Sequence, residues 1–158
     1  RVAGVDITGG RKWAHRTVTY GAYIRSLLST HRLHDKVVFL GKLDETDMAR
    51  ELRSAHIHVC ASVIENSPNS LGEAQLIGTP SIASFVGGVP DMVKDRETGL
   101  LYRFDDHVLL AYKIIELFND DELARNISKN GILVASERHN KTTIVSRMLE
   151  IYQTIQKG

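Results

Sequence analysis

Apolar residues along this chain fall in short runs separated by stretches of helical period, and the alternation predicts strand and helix in turn. Val2 to Ile7 is an apolar run that ends on Thr8, Gly9 and Gly10, a strand followed by a turn. From about Thr17 to Leu33 the residues Val18, Ala22, Ile24, Leu27 and Leu28 keep an approximately helical spacing. Lys36 to Leu40, β-branched and aromatic and stopped by Gly41, predicts a buried strand. Asp44 is placed to cap a helix carrying Met48, Leu52 and Ala55, and His56 to Ala61 is the next strand.

The pattern then continues without a linker or repeat. A polar loop, Ser62 to Asn69, leads into an apolar helix from Ser70 to Ile77 that Gly78 and Pro80 close. Ser81 to Phe85 is a short strand, Gly87 and Gly88 a turn, Val89 to Val93 one or two helical turns, and Gly99 to Tyr102 a last strand. From Asp105 to Gln156 the chain is helical, with breaks near Asn119–Asp120 and Arg138–Asn140. Alternating units with short connections predict a doubly wound, Rossmann-like α/β fold, a parallel sheet with helices on both faces. Ligands in such folds bind beyond the carboxyl ends of the strands, which directs attention to the loops after Ala61 and Phe85.

Composition narrows this little. The 158 residues suit a single domain, with 42% hydrophobic and 25% charged residues in the ordinary globular range. Twenty basic residues against 19 acidic ones, scattered rather than clustered, argue against nucleic acid as the main partner. The single cysteine, Cys60, precludes an internal disulfide and fits a reducing compartment. No run approaches the roughly 20 apolar residues of a membrane span. The start at Arg1, directly on an apolar segment, is expected to be a cut within a longer chain.

The chemistry concentrates between Ser62 and Val93. A strand delivers a loop holding Glu65, which turns into a helix whose first turn contains Asn69, Ser70 and Leu71. The first N–H groups of a helix lack internal acceptors and lie at the positive end of its dipole, an arrangement suited to a diphosphate. Glu73, about one turn further in, could accept two hydrogen bonds from a vicinal diol such as that of a ribose. Glu65, eight positions earlier, could bond a sugar hydroxyl or stabilise positive charge developing on a sugar. Taken alone, two glutamates at this spacing are more simply a loop carboxylate and an ordinary acidic residue near a helix start.

The surrounding blocks change that balance. Glu65 and Glu73, the continuation EAQLIGTPSIAS, then VGGVPDMV and ETGLLY, resemble in order the Glu–seven residues–Glu region of the retaining GT-B glycosyltransferases, "glycosyl transferases group 1". Upstream, VVFLGKLDETDMARELRSAHIHVCAS resembles the strand, helix and strand that lead into it. The similarity covers about Lys36 to Phe118 and implies the C-terminal, donor-binding half of a two-domain enzyme. It implies that Glu73 binds the nucleotide ribose and that Glu65 lies beside the donor sugar. The backbone of Asn69, Ser70 and Leu71 would hold the distal phosphate, and Lys42 and Leu43 would lie near the base. The donor would be a UDP-, GDP- or ADP-linked sugar, with no metal or other cofactor. The acceptor, a saccharide or lipid-linked saccharide, would be held by the missing N-terminal domain, and the isolated chain would be inactive. Bacterial surface polysaccharide synthesis in the cytoplasm is the implied setting, with peripheral membrane contact of the whole enzyme left open. This chain departs from the family pattern after Glu65, where Asn66, Ser67, Pro68 and Asn69 replace a frequent Gly-Phe-Gly. The family's basic pair precedes the strand at which this chain begins, and Arg11 and Lys12 do not take its place.

Other features weigh towards structure. His56, His58 and Cys60 alternate along one strand face, but a metal site there is less expected than core packing. Gly87 and Gly88 are expected to form a turn lining the donor cleft, whereas Gly9 and Gly10 are more simply a tight turn. His15, His31 and His34 sit on polar positions and carry no assigned chemistry, and Ile144, Met148, Ile151 and Ile155 form a packing stripe, part of which could face the missing domain in the intact enzyme. Two rival functions remain: a GT-B-shaped nucleotide-sugar epimerase or phosphorylase, and a non-catalytic nucleotide-binding regulatory module.

Overall fold

The computed structural model describes residues 1–4 and 20–157. The chain divides into two units, Arg1–Arg50 and Glu51–Gly158. In the first, β1 (Val2–Ala3) pairs in parallel with β2 (Phe39–Gly41), and α1 (Tyr20–Thr30) lies between them in sequence. Helix α2 (Glu45–Ser54) begins where Asp44 accepts the Asp47 N–H at 2.8 Å. The strand expected over Lys36 to Leu40 starts later and is only half-buried. The reason is local: the N–H groups of Lys36 and Val37 bond back to the Leu33 carbonyl and close the turn after α1, so neither joins the sheet. The end of the first predicted strand, Gly9, Gly10, Arg11, Lys12, His15 and the predicted helix start at Thr17 lie outside the described residues.

The second unit holds a parallel sheet of β3 (His58–Cys60), β4 (Ser81–Ser84) and β5 (Leu100–Tyr102) in that order. Pairing aligns Cys60, Ala83 and Leu101 across the strands, and Val59, Ile82 and Leu100 one step before them. Because side chains alternate along a strand, these rows face opposite ways. Cys60 and Ala83 pack with Leu71, Val89, Met92 and Val93, from α3 (Asn69–Ile77), α4 (Val89–Met92) and the residue after it. Ile82 and Leu100 pack with Tyr102, Leu117 and Ile127, the last two from α5 (His107–Asn119) and α6 (Asp121–Arg138). The sheet is covered on both faces, as a doubly wound fold requires.

Helix ends fall where capping chemistry sits. Gly78, at φ 89°, ends α3 with its N–H shared between the Ala74 and Gln75 carbonyls. Asp106 and Asp120 accept the N–H groups of Leu109 and Leu123, each at 2.8 Å, and so start α5 and α6. Helix α3 lies against α6 where Gly131 leaves room for the Gln75 side chain. Helix α7 (Lys141–Lys157) corrects one expectation: Ile144, Met148, Ile151 and Ile155 are exposed, not packed. The helical period that made them a stripe is real, but no described element lies over that face. No helix among the described residues is long and apolar enough to cross a membrane.

Candidate functional site

The carboxyl ends of β3 and β4 are joined by serines. The Ser84 hydroxyl, on the last residue of β4, donates to the Ser62 carbonyl at 2.6 Å. The Ser62 hydroxyl in turn donates to Glu65 Oε1 at 2.9 Å. Ser84 is wholly buried, Ser62 and Glu65 half-buried, so the series runs from the core out to the loop surface. Sequence reasoning missed both serines. Their signal was their place at the ends of adjacent parallel strands, which becomes informative only once the pairing is known.

From Glu65 the loop runs through exposed Asn66 and Ser67 to buried Pro68, where α3 begins. Pro68 is the residue before the helix and offers no side-chain cap. Its carbonyl accepts from the N–H groups of Leu71 and Gly72 at 3.1 and 3.3 Å. The amides of Asn69 and Ser70 are thus the first-turn donors without an acceptor among the described residues. Leu71 itself is fully buried in the core beneath the helix, so its side chain anchors the turn and does not face a ligand. Glu73 lies on the exposed side of α3, one turn beyond the start. Glu65, the α3 start and Glu73 thus follow one another along the segment that leaves the carboxyl end of β3.

Gly87 and Gly88 complete that segment from the other side. After β4 the chain turns through Gly87, at φ 50°, and Gly88 precedes α4. A Cβ at Gly87 would collide with the Glu65 carbonyl, and one at Gly88 with that of Asn66. The pair is a turn, as expected, and the reason for glycine at both places is the backbone of the Glu65 loop pressed against it. Ser67 adds a weaker tie, its hydroxyl 3.6 Å from Met92 Sδ.

Lys42 and Leu43 belong to the first unit, in the loop between β2 and α2, with Lys42 exposed and Leu43 half-buried. The histidines do not converge with Cys60. His56 is exposed ahead of β3 and stacks on Phe118 at 5.5 Å, while His58 and Cys60 sit within the strand. Burial lowers the His58 pKa to about 4 and its Nδ1 has no partner among the described residues, the environment of a neutral packed ring. Among the described residues no three His, Cys, Asp or Glu side chains are grouped to hold a metal.

Residues 9–134 match the family model described as glycosyl transferases group 1. The chain belongs to this family. Its relatives include the N-acetyl-α-D-glucosaminyl L-malate synthase of Bacillus anthracis, 31% identical over 132 residues, a stretch covering 84% of this chain and 34% of that enzyme. Among solved structures, a sucrose-phosphate synthase from Thermosynechococcus elongatus superposes with a TM-score of 0.78 at 32% identity, covering 87% of this chain and 34% of that one. Anabaena HepE, solved in complex with UDP, superposes at 0.80 with 24% identity, covering 85% and 37%, and shares the fold. The chain spans about a third of the length of the curated relatives it matches.

Within this glycosyltransferase domain a second polar group supports α3 from behind. Gln75, 2% exposed, donates to the carbonyls of Met92 and Thr98 at 3.2 and 3.3 Å. Arg138, the last residue of α6, reaches over to donate to Gln75 Oε1 at 2.6 Å and to the Met92 carbonyl at 3.3 Å. Desolvation lowers the Arg138 pKa. These bonds tie α3, α4 and the end of α6 into one block carrying the candidate site. In the sequence Arg138 marks only the neighbourhood of a helix break.

Proposed function

We propose that this chain is the donor-binding half of a retaining glycosyltransferase that takes a nucleoside-diphosphate sugar. The observation that carries the proposal is the segment leaving β3, in a chain of this family, that bears Glu65, the uncapped start of α3 and Glu73 in turn. Glu73 accepts hydrogen bonds from the ribose diol. The amides of Asn69 and Ser70, with the turn set by Leu71, receive the distal phosphate. Glu65 faces the donor sugar, and Gly87 and Gly88 form the opposite wall. The similarity to a synthase of an N-acetylglucosaminyl product and to a fold that holds UDP supports this assignment.

Rate enhancement then comes from positioning and from electrostatic stabilisation of the separating charges, and not from a protein nucleophile. The helix amides take part of the diphosphate charge, and basic residues outside the chain take the rest. No metal or cofactor is invoked. The acceptor, a saccharide or lipid-linked saccharide, is held by an N-terminal domain, and the setting is cytoplasmic synthesis of a bacterial surface polysaccharide.

Calorimetric titration with UDP, GDP and ADP tests this, on the chain and on the longer enzyme. One nucleotide should bind saturably, and Glu73→Ala should weaken it by about 1–3 kcal/mol, the range for a lost hydrogen bond to a charged group. Absence of nucleotide binding in the longer enzyme, or indifference to Glu73→Ala, would reject the assignment.

A further inference from the structure

A glutamate with three rotatable side-chain bonds and partial exposure samples many orientations unless something holds it, and ordering it carries an entropic penalty. Here the Glu65 carboxylate is held at one oxygen only: Oε1 receives the Ser62 hydroxyl at 2.9 Å, while Oε2 has no partner among the described residues. The holder is itself fixed. Ser84, fully buried at the end of β4, donates to the Ser62 carbonyl at 2.6 Å, so the strand end fixes the backbone from which the Ser62 hydroxyl reaches out. The backbone of the same loop is gripped at the Glu65 and Asn66 carbonyls by Gly87 and Gly88, three and four residues beyond Ser84. One strand end thus fixes both the main chain and, through Ser62, the side chain of Glu65.

We infer that Ser62 is a positioning residue for Glu65: it holds one carboxylate oxygen so that the other points to the donor sugar, with Ser84 holding Ser62 in register. The inference rests on the assignment of Glu65 to the sugar side of the donor site. The alternative is a serine that merely satisfies a loop hydrogen bond. The two differ in whether Ser62 matters when Glu65 is absent, which a double-mutant cycle measures directly.

The test uses the full two-domain enzyme, with UDP-, GDP- and ADP-glucose as probe donors and nucleoside diphosphate release as the readout. Ser62→Ala leaves the Ser84 bond to the Ser62 carbonyl intact and keeps the loop volume nearly unchanged, so the fold should persist; a thermal melt checks this. Ser62→Ala should lower kcat about tenfold with the donor that turns over, with KM and the affinity for the matching nucleoside diphosphate within about twofold, as loss of a hydrogen bond to a charged group predicts. Ser62→Thr, which keeps the hydroxyl, should recover most of the lost rate. In a Glu65→Ala background, Ser62→Ala should change kcat by less than about twofold. A full tenfold loss in both backgrounds, or a loss of nucleoside diphosphate binding as large as the loss of kcat, would overturn the positioning role while leaving Glu65 in place. If Glu65→Ala alone turns over like the unsubstituted enzyme, the placement of Glu65 itself is wrong, and the two failures are told apart.

Discussion

Replacing Gly88 by alanine isolates one physical effect. Gly88 has φ −87° and ψ 5°, a conformation open to any residue, so the change carries no backbone penalty. What it adds is a methyl group aimed at the Asn66 carbonyl. Carbon–oxygen contacts ordinarily stand at about 3.3 Å or more, so the Glu65 loop would have to retreat by roughly 1 Å. Overpacking costs about 1–3 kcal/mol, and the obstacle here is backbone, not a side chain that can swing away, which places the expected loss near the top, about 2–3 kcal/mol. For a chain of this size that is a fall in Tm of roughly 4–12 °C. Gly87→Ala meets the Glu65 carbonyl and also demands φ 50° of a residue with a Cβ, so it should lose about 1 kcal/mol more. Gly41→Ala is the control: at φ 70° with open space around it, it carries the backbone penalty alone, about 1 kcal/mol. Urea unfolding of the three variants orders them, and titration with UDP, GDP and ADP tests whether the retreating loop disturbs the proposed donor site. A Gly88→Ala variant within about 0.5 kcal/mol of the parent would refute the close packing.

Two further substitutions probe the supports of the fold. Arg138→Ala leaves Gln75 Oε1, buried at a residue 2% exposed, without its donor, and should destabilise the second unit by about 2–3 kcal/mol in urea. Arg138→Lys should recover only part, since an ammonium replaces a planar fork that reaches two acceptors. His58, held neutral by burial with a pKa of about 4 against 6.5 unfolded, adds stability that is present above pH 6.5 and is lost as the pH falls towards 4. Linkage gives a loss of at most about 2 kcal/mol between pH 7 and pH 5. Urea midpoints at those two values, compared with His58→Gln, should show a smaller drop in the variant, and equal drops would place the acid sensitivity elsewhere.

Most of the element order was legible because helix ends and turns are chemically marked. Asp44, Asp106 and Asp120 accept the amides that open α2, α5 and α6, and Gly78 adopts the left-handed conformation that closes α3. These are local facts, readable from residue type and spacing. Errors arose where a residue answers to something distant. The KVVFL run reads as a buried strand, yet its first two amides are taken by the Leu33 carbonyl and the strand shifts downstream. The stripe on α7 reads as core because period alone does not say whether a partner lies opposite. At the candidate site the two glutamates stood out through motif order, but the serines behind Glu65 and the Gln75–Arg138 group did not. Ser62 and Ser84 are 22 residues apart and Gln75 and Arg138 63 apart, so their bonds exist only in the folded chain.

The grip of Gly87 and Gly88 has an evolutionary corollary. The atoms they press upon are the main-chain carbonyls of Glu65 and Asn66, which every amino acid possesses. Such a clamp is indifferent to which side chains occupy positions 66 to 69, and Asn-Ser-Pro-Asn can stand there in place of a glycine-rich sequence without loosening it. It is strict, however, about length. One residue inserted or deleted between Ser62 and Asn66 would slide a different carbonyl under the glycines and carry the carboxylate away from the Ser62 hydroxyl. The side chains after Glu65 can therefore change with the clamp intact, while the spacing from Ser62 to Asn66 cannot.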